Sequence, residues 1–507
     1  MSLFLYLFIA AVILLLGYLK YQHGYWQRRG IPHDKPEFPR GNMGEGGKTK
    51  HFSYVFADTY FKYKGSGPFA GFYFLIMKIA IVLDQQLVKN VLIKDFHNFD
   101  ERGLFHNEKD DPLTGNLFFM DGDKWRTLRN KMSPTFTSGK MKYMFETVSK
   151  IGMELSAVFT ETAAQNGSVL EITDLLNRFT ADVIGTCAFG LECNSLRNPK
   201  ESEFVRMGKS FLQEPRHSML IDAFMQSNPK LARKLRMRLV AQKVHDFYMR
   251  IVHETVTFRE QNNVKRNDFM DMLIELKNRK KDAMTIEEVA AQAFVFFLAG
   301  FDTSATTIGF VLYELAQNQD IQDKARAEVQ SVLAKHNHVF SYECMNEMKY
   351  IEMIYSETLR LHPVVGHLVR RARERYETDD PKYYIEKGTL VIIPLIAIHL
   401  DPEYYPEPEK FIPERFTAEA IQQRPACTWL PFGDGPRNCI GLRFGKMQMA
   451  IGLVYLLKNF RFSVAPETQI PVQKTVKSLS IGPLHVIKNK KSKLIVFMLI
   501  KKISKVS

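Results

Sequence analysis

Paired cysteines are missing from this 507-residue chain. It has five, Cys187, Cys193, Cys344, Cys427 and Cys439, an odd number with no C-x-x-C spacing. That excludes a disulfide framework and a cysteine-based zinc site, and it suits a reducing compartment for the bulk of the chain. Four of the five read as small buried hydrophobes. Internal repeats and low-complexity tracts are also absent, as is a flavin- or NADPH-binding G-x-G-x-x-G segment. Any redox role would therefore draw its electrons from another protein. The net charge of +14 comes without zinc-finger spacing, an Arg-rich tail or an RNP-like strand. Nucleic acid is set aside on those grounds, and an anionic membrane surface or an acidic protein partner fits the charge better.

What is present is an ordinary globular composition, 45% hydrophobic and 24% charged, with 38 phenylalanines that allow an aromatic core or an apolar pocket. Leu3 to Leu19 is an unbroken apolar run. As a helix it would span about 26 Å, close to the hydrocarbon thickness of an endoplasmic-reticulum bilayer. No basic side chain precedes it, as a cleaved signal would require, whereas Lys20, Arg28 and Arg29 follow it. The reading is an uncleaved anchor over residues 1–20, with the rest of the chain on the cytosolic side. Residues 21–50, with Pro32, Pro36, Pro39, Gly41, Gly44, Gly46 and Gly47, are expected to be an extended, semi-rigid linker, leaving 51–507 as one domain.

The body reads as mainly helical with a minor β region. Apolar runs in 51–100, such as Phe72 to Val82, suggest strands of a small sheet. Thr285 and Glu288 form a capping-box pattern that opens an apolar helix to about Leu315. At about 45 Å, such a helix would cross a whole domain. Further helices are expected over 320–335 and 345–361, the latter stopped by Pro363, with strands in 383–400 and irregular chain over 401–438. A last helix is expected from near Cys439 to about Leu457.

Chemistry concentrates in a few segments. Phe432-Gly433-Asp434-Gly435-Pro436-Arg437-Asn438-Cys439-Ile440-Gly441 puts three glycines and a proline into ten residues, and Cys439 where that loop becomes a helix. A helix start favours thiolate, and a thiolate shielded by an aromatic side chain can ligate haem iron. A lone cysteine here would read as structural; the whole pattern F-x-x-G-x-R-x-C-x-G argues otherwise. Glu357-Thr358-Leu359-Arg360 places an acid and a base on one helical face. Alone that is a common surface pair. Ala299-Gly300-Phe301-Asp302-Thr303 interrupts the long apolar helix. The glycine costs about 1 kcal/mol there and would let a flat cofactor or small ligand approach the backbone. The acid and hydroxyl beside it can relay protons. Trp125 and Arg129 share a face of an amphipathic stretch.

These segments, in this order, resemble the landmarks of cytochromes P450, and the resemblance runs from the anchor to about residue 465. It implies the P450 fold, with Cys439 as axial ligand of haem iron in a loop that includes Phe432 and Gly441. It implies that Trp125, Arg129 and Arg437, with Arg370 as a further candidate, hold the haem propionates. Asp302 and Thr303 would deliver protons that drive O–O cleavage. Glu357 and Arg360, joined by Arg415 from Pro413-Glu414-Arg415-Phe416, would form a buried structural network rather than a catalytic one. The segment from Tyr404-Tyr405-Pro406 to Phe416 is similar to the family's meander. Leu430 to Phe432, Arg443 to Gly445 and Phe99 to Gly103 resemble the insect microsomal family 6 type. The activity implied is monooxygenation of small apolar compounds, which in relatives include hormones, plant toxins and insecticides. O2 would be the oxidant, and electrons would come from NADPH through NADPH–cytochrome P450 reductase, with cytochrome b5 as a further donor.

Lys124, Arg126, Lys131, Arg443 and Lys446 lie near these motifs and could offer an acidic partner a docking face. Leu104 to Met120 and Phe211 to Phe224 are candidate pocket segments. Two features depart from the family. Pro363-Val364-Val365-Gly366 replaces a Pro-Pro-x-Pro turn near the substrate, which leaves substrate identity open. The C-terminus carries Lys488, Lys490, Lys491 and Lys493, then an apolar run from Leu494 to Ile500 that is too short to span a bilayer. That run reads as a terminal strand or as part of a basic tail. A haem-thiolate isomerase or dehydratase would tend to lack the Asp302-Thr303 pair, and a haem sensor would not need it.

Overall fold

The computed structural model describes residues 2–166, 169–198, 202–214, 216–466, 468–476, 480–483 and 497–502. Its helices include α1 (Ser2–His23), α2 (Gly122–Met132), α3 (Glu203–Gln213), α4 (Ile286–Gln317), α5 (Lys349–Leu361) and α6 (Leu442–Asn459). Its strands include β1 (Phe69–Phe74), β2 (Met77–Val82), β3 (Val169–Glu171), β4 (Leu368–Arg371), β5 (Leu390–Ile393), β6 (Phe460–Val464) and β7 (Phe497–Lys502). The chain forms two compact units. The smaller comprises Met1–Gly103, Gly366–Pro406 and Ala426–Asn438; the larger comprises Leu104–Val365, Glu407–Pro425 and Cys439–Ser507.

The smaller unit is built on a four-stranded sheet in the order β1-β2-β5-β4. β2 and β5 run parallel, Ile79 opposite Leu390, and the other neighbours run antiparallel. The apolar stretch around Phe72 to Val82 is thus two strands, turned at Leu75, whose φ is 53°. One face buries Phe72, Ile79, Ile81 and Ile392 with Met43 and Phe56. Met43 and the fully buried Trp26 belong to the segment expected to be a linker. Trp26 donates its indole N–H to the Phe72 carbonyl at 3.2 Å, and His33 and Gly41 bridge to Gly71 and Phe74. Residues 21–50 are therefore held on β1, because that strand's outer edge needs hydrogen-bond partners. The expectation of strands over 383–400 holds only to Ile393. Pro394 cannot continue a ladder, and a short helix, Leu395–His399, follows it.

The apolar stretch of α1 has a mean hydropathy of 2.3, and none of its described residues is buried. A helix exposed in this way needs a non-aqueous environment.

The larger unit is organised around α4. Its capping box is formed: Glu288 N–H donates to Thr285 Oγ1 at 3.2 Å, and Thr285 N–H to the Glu288 carboxylate at 2.9 Å. α4 is also long and apolar enough to cross a membrane, but two-thirds of its apolar window is buried inside the protein, which makes it a core helix. The helix expected over 345–361 is broken at Met348 into Tyr342–Glu347 and α5. The C-terminal alternatives resolve in favour of a strand: β7 lies between β3 and β6, antiparallel to both, with Met498 and Ile500 buried. Lys488, Lys490, Lys491, Lys493 and Leu494 lie outside the described residues.

Candidate active site

In the larger unit, Cys439 lies three residues before α6, whose N-terminal cap is Gly441. The helix begins slightly later than the sequence suggests because the chain turns at Gly441 before Leu442. Cys439 is the exposed cysteine; Cys187, Cys344 and Cys427 are buried and Cys193 is half-buried. Burial pushes the thiols of Cys187, Cys193 and Cys344 up, and that of Cys427 up to about 12, so these four stay protonated. Arg129, one turn after the buried Trp125 on α2, is close enough for its guanidinium to interact electrostatically with the Cys439 sulfur. Burial lowers the Arg129 pKa, and the sulfur opposes that change.

The surroundings of the thiol are aromatic. A methyl group placed on Gly441 would lie 3.9 Å from the Phe136 ring and 4.0 Å from Sγ of Cys439, ordinary contact distances. With φ at −86°, nothing in the protein itself demands glycine there, so its missing side chain leaves open space beside the sulfur. Phe136 meets Phe296 of α4 edge-on at 5.3 Å, and Phe269 links Phe296 to Phe444 of α6. This apolar wall ties the start of α6 to the middle of α4.

α4 is partly open over one stretch. Phe296, Phe297 and Phe301 are buried, whereas Ala299 is exposed and Asp302 and Thr303 are partly so. The Gly300 backbone does not face that opening. A methyl group there would lie 2.3 Å from Ile184 Cδ1, so the glycine serves helix packing, contrary to the expectation of a ligand approach. Thr303 donates its hydroxyl hydrogen to the Ala299 carbonyl one turn back. Asp302 accepts a hydrogen bond from the Ser480 hydroxyl. Burial raises its carboxyl pKa; the Ser480 hydroxyl and, at longer range, the Lys209 ammonium oppose the rise. Ser480 has no sequence signal of its own, since it is distant in the chain and belongs to no motif.

The network expected of Glu357, Arg360 and Arg415 is assembled. The Glu357 carboxylate accepts two bonds from Arg360, at 2.7 and 2.8 Å, and lies 3.3 Å from Arg415 Nε. Arg360 also reaches the carbonyls of Pro408 and Lys410, at 2.8 and 3.1 Å.

In the smaller unit, Gly435 has a φ of +69°, and a side chain there would collide with the Leu92 carbonyl. Phe432 meets Trp429 edge-on. Arg437 is buried and donates to the Asp100 carbonyl, and Arg370 is buried on β4, where it donates to the Val369 carbonyl at 2.8 Å. Of the basic residues expected to form a docking face, Lys446 pairs with Glu352 at 2.7 Å, Lys131 with the Asp282 carbonyl at 2.7 Å, and Lys124 with Glu108 at 3.1 Å. Arg126 lies 3.6 Å from Asp123, and Arg443 donates to the Phe136 carbonyl at 3.3 Å.

A soft thiol at a helix start, a cation beside it, an aromatic wall and open space next to both Gly441 and Ala299 form a donor set suited to a thiolate-ligated haem. The chain belongs to the cytochrome P450 family, whose profile, described as "Cytochrome P450", matches residues 32–488. It is therefore a haem-thiolate monooxygenase. It is similar to the fruit-fly (Drosophila melanogaster) protein "Probable cytochrome P450 6a23", with 55% identity over 489 residues covering 95% of this chain and 97% of that protein. Its similarity to "Cytochrome P450 6a8" of the same species is 53% over 485 residues, covering 94% and 96%. To "Cytochrome P450 6A1" of the house fly (Musca domestica) it is 49% over 493 residues, covering 95% and 96%.

Proposed function

We propose that this protein oxygenates small apolar compounds, and that the Cys439 thiolate would hold the haem iron. The reading rests on the exposed thiol at the start of α6 with the Arg129 cation beside it, in a chain whose other four cysteines are held as thiols. When bound, haem supplies the activation of O2 and the transfer of one oxygen atom to substrate. The protein's own residues supply binding and proton traffic. Cys439 donates electron density through sulfur, stabilised by the α6 N-terminus and by Arg129. The family resemblance supports Trp125, Arg129, Arg437 and Arg370 as the residues that would hold the two propionates. Thr303 has its hydrogen on the Ala299 carbonyl, so its oxygen lone pairs face outward as an acceptor that can hold a water. Asp302 exchanges protons with that water. The aromatic wall of Phe136, Phe296 and Phe444 restricts water near the sulfur.

Electrons come, on this reading, from NADPH through NADPH–cytochrome P450 reductase, with cytochrome b5 as a second donor. The exposed Arg443, whose contact is a neutral carbonyl, suits an acidic partner best, and the exposed Lys124 and Arg126 suit it less because Glu108 and Asp123 face them. Lys446 suits it less, because Glu352 already neutralises it. The exposed apolar helix α1 supports an anchor in the endoplasmic-reticulum membrane, and the basic residues after it favour a catalytic body on the cytosolic side. The similarity to insect family 6 proteins supports substrates of the hormone, plant-toxin and insecticide kind.

The test is spectroscopic first. The reduced, carbon-monoxide-bound protein shows the long-wavelength thiolate band, and Cys439→Ser loses it. Reconstituted with reductase and NADPH, the wild type transfers one labelled oxygen atom from O2 to an apolar probe. A Cys439→Ser protein that kept the band would sink the assignment.

A further inference from the structure

The chain after α6 returns to α4 as a hairpin whose described arms are residues 472–476 and 480–483. Thr475 N–H donates to the Gly482 carbonyl at 2.8 Å, and Lys474 pairs antiparallel with Pro483. This hairpin lies along α4. Val472 N–H reaches the Tyr313 hydroxyl at 3.2 Å, and a side chain on Gly482 would lie 3.3 Å from Thr306 Oγ1. Ser480 is fixed within it. Thr475 Oγ1 donates to the Ser480 carbonyl at 2.8 Å, and the next residue, Ile481, donates to the Val364 carbonyl at 2.8 Å. With the backbone held on both sides, the Ser480 hydroxyl points at Asp302 Oδ2 and donates to it.

We propose that Ser480 is a positioning residue for the acid of the proton path: its hydroxyl holds Oδ2 of Asp302 in one orientation and leaves proton exchange to Oδ1. This rests on the reading of Asp302 as the acid. The physical case is one of preorganisation. A carboxylate on a partly open helix face samples several side-chain orientations, and a fixed donor selects one. The donor also favours the ionised form, so Asp302 can lose its proton and be recharged by water. Lys209, from α3, is the charged group that faces Asp302 at longer range, and its ammonium is shared with Asp174 at 3.4 Å. Ser480 is the partner in direct contact. The hairpin therefore reaches the reaction through Asp302, although its residues belong to none of the sequence landmarks.

The experiment uses full-length holoenzyme and follows the protonated-carboxyl infrared band of Asp302 against pH, the band being assigned by its loss in Asp302→Asn. In Ser480→Ala the carboxyl protonates at a pH about one unit higher than in wild type. Ser480→Thr, which keeps the hydroxyl, titrates like wild type. If wild-type Asp302 stays ionised throughout the accessible range, the appearance of its protonated band in Ser480→Ala supports the proposal. An unchanged titration in Ser480→Ala, with the thiolate band of the carbon monoxide complex intact, overturns it. The role of Asp302 itself is read separately, from the fraction of NADPH consumption coupled to product in Asp302→Asn. If that fraction is unchanged the acid assignment fails, whatever the infrared titration shows.

Discussion

Glu357 receives both forks of the Arg360 guanidinium, at 2.7 and 2.8 Å, and neither side chain reaches solvent. Charges this deep are stable only as a set, since each removed partner leaves the others desolvated and uncompensated. Glu357→Ala strands Arg360 and half-buried Arg415 together. The expected cost is about 3–5 kcal/mol, read as a lower chemical-unfolding midpoint and a lower yield of haem-loaded protein. Arg360→Lys should also be strongly destabilising, because a lysine cannot bridge two carboxylate oxygens while bonding the Pro408 and Lys410 carbonyls. A near-neutral effect of either change would mean that the meander is held by something else.

Gln292, fully buried on α4, spans a gap in the loop that precedes α2. Its carbonyl oxygen accepts from Leu117 N–H at 3.0 Å, and its amide donates to the Gly115 carbonyl at 3.1 Å. Gln292→Leu leaves both backbone groups buried and unpaired, at about 1–3 kcal/mol each if the loop stays in place. The loop is expected to move instead. Hydrogen exchange at the Leu117 amide should accelerate well above that of the α4 core. Unchanged protection would show that Asn116, which accepts from Phe118 and Phe119 N–H, is sufficient alone.

His367 in the smaller unit is half-buried beside Phe52 and Phe56, with Ser53 Oγ 3.0 Å from its Nδ1. Burial, with a smaller contribution from His51, lowers its pKa to about 3. Between that value and the unfolded value of about 6.5, the unfolded chain binds a proton that the folded protein does not. Stability is therefore complete above pH about 6.5 and falls as pH drops toward 3, by about 1.4 kcal/mol per unit for this one group. His367→Gln should flatten the slope of unfolding free energy against pH between 6.5 and 4.5, relative to wild type, by that amount. Identical slopes would place the acid sensitivity elsewhere.

What could be read in the chain itself divides along one physical line. Local rules located the Thr285–Glu288 cap, the long core helix, α1 and the Cys439 loop, because each depends on neighbours within one or two turns. Features that depend on distant partners were legible only as motifs or not at all. Arg415 was named through the family pattern, and its distance to Glu357 required the fold. Trp26 and Met43 sit in a segment whose prolines and glycines suggest a spacer, yet the open edge of β1 captures it. Gly300 is a mid-helix glycine that calls for a reason, and the reason is Ile184, 116 positions earlier in the chain. Ser480 was invisible, since a serine on a distant hairpin carries no periodic or spacing signal.

Cys439 differs from its four counterparts in a way that alkylation can read. Cys439 is exposed and has the Arg129 cation nearby, while burial raises the pKa of the other four thiols, three of them buried and Cys193 half-buried. Reaction with iodoacetamide requires thiolate and access together. In protein from which haem has been withdrawn, Cys439 should therefore be modified first, with the other four following only on unfolding. Haem added back before the reagent should protect it, because the sulfur is then committed to iron. Peptide mass mapping after short exposure measures both effects. Arg129→Leu should slow the labelling of haem-free protein, since the cation that favours thiolate is gone, whereas Arg129→Lys should largely restore it. Equal labelling of all five cysteines without unfolding, or no protection by haem, would contradict the placement of the ligand at the start of α6.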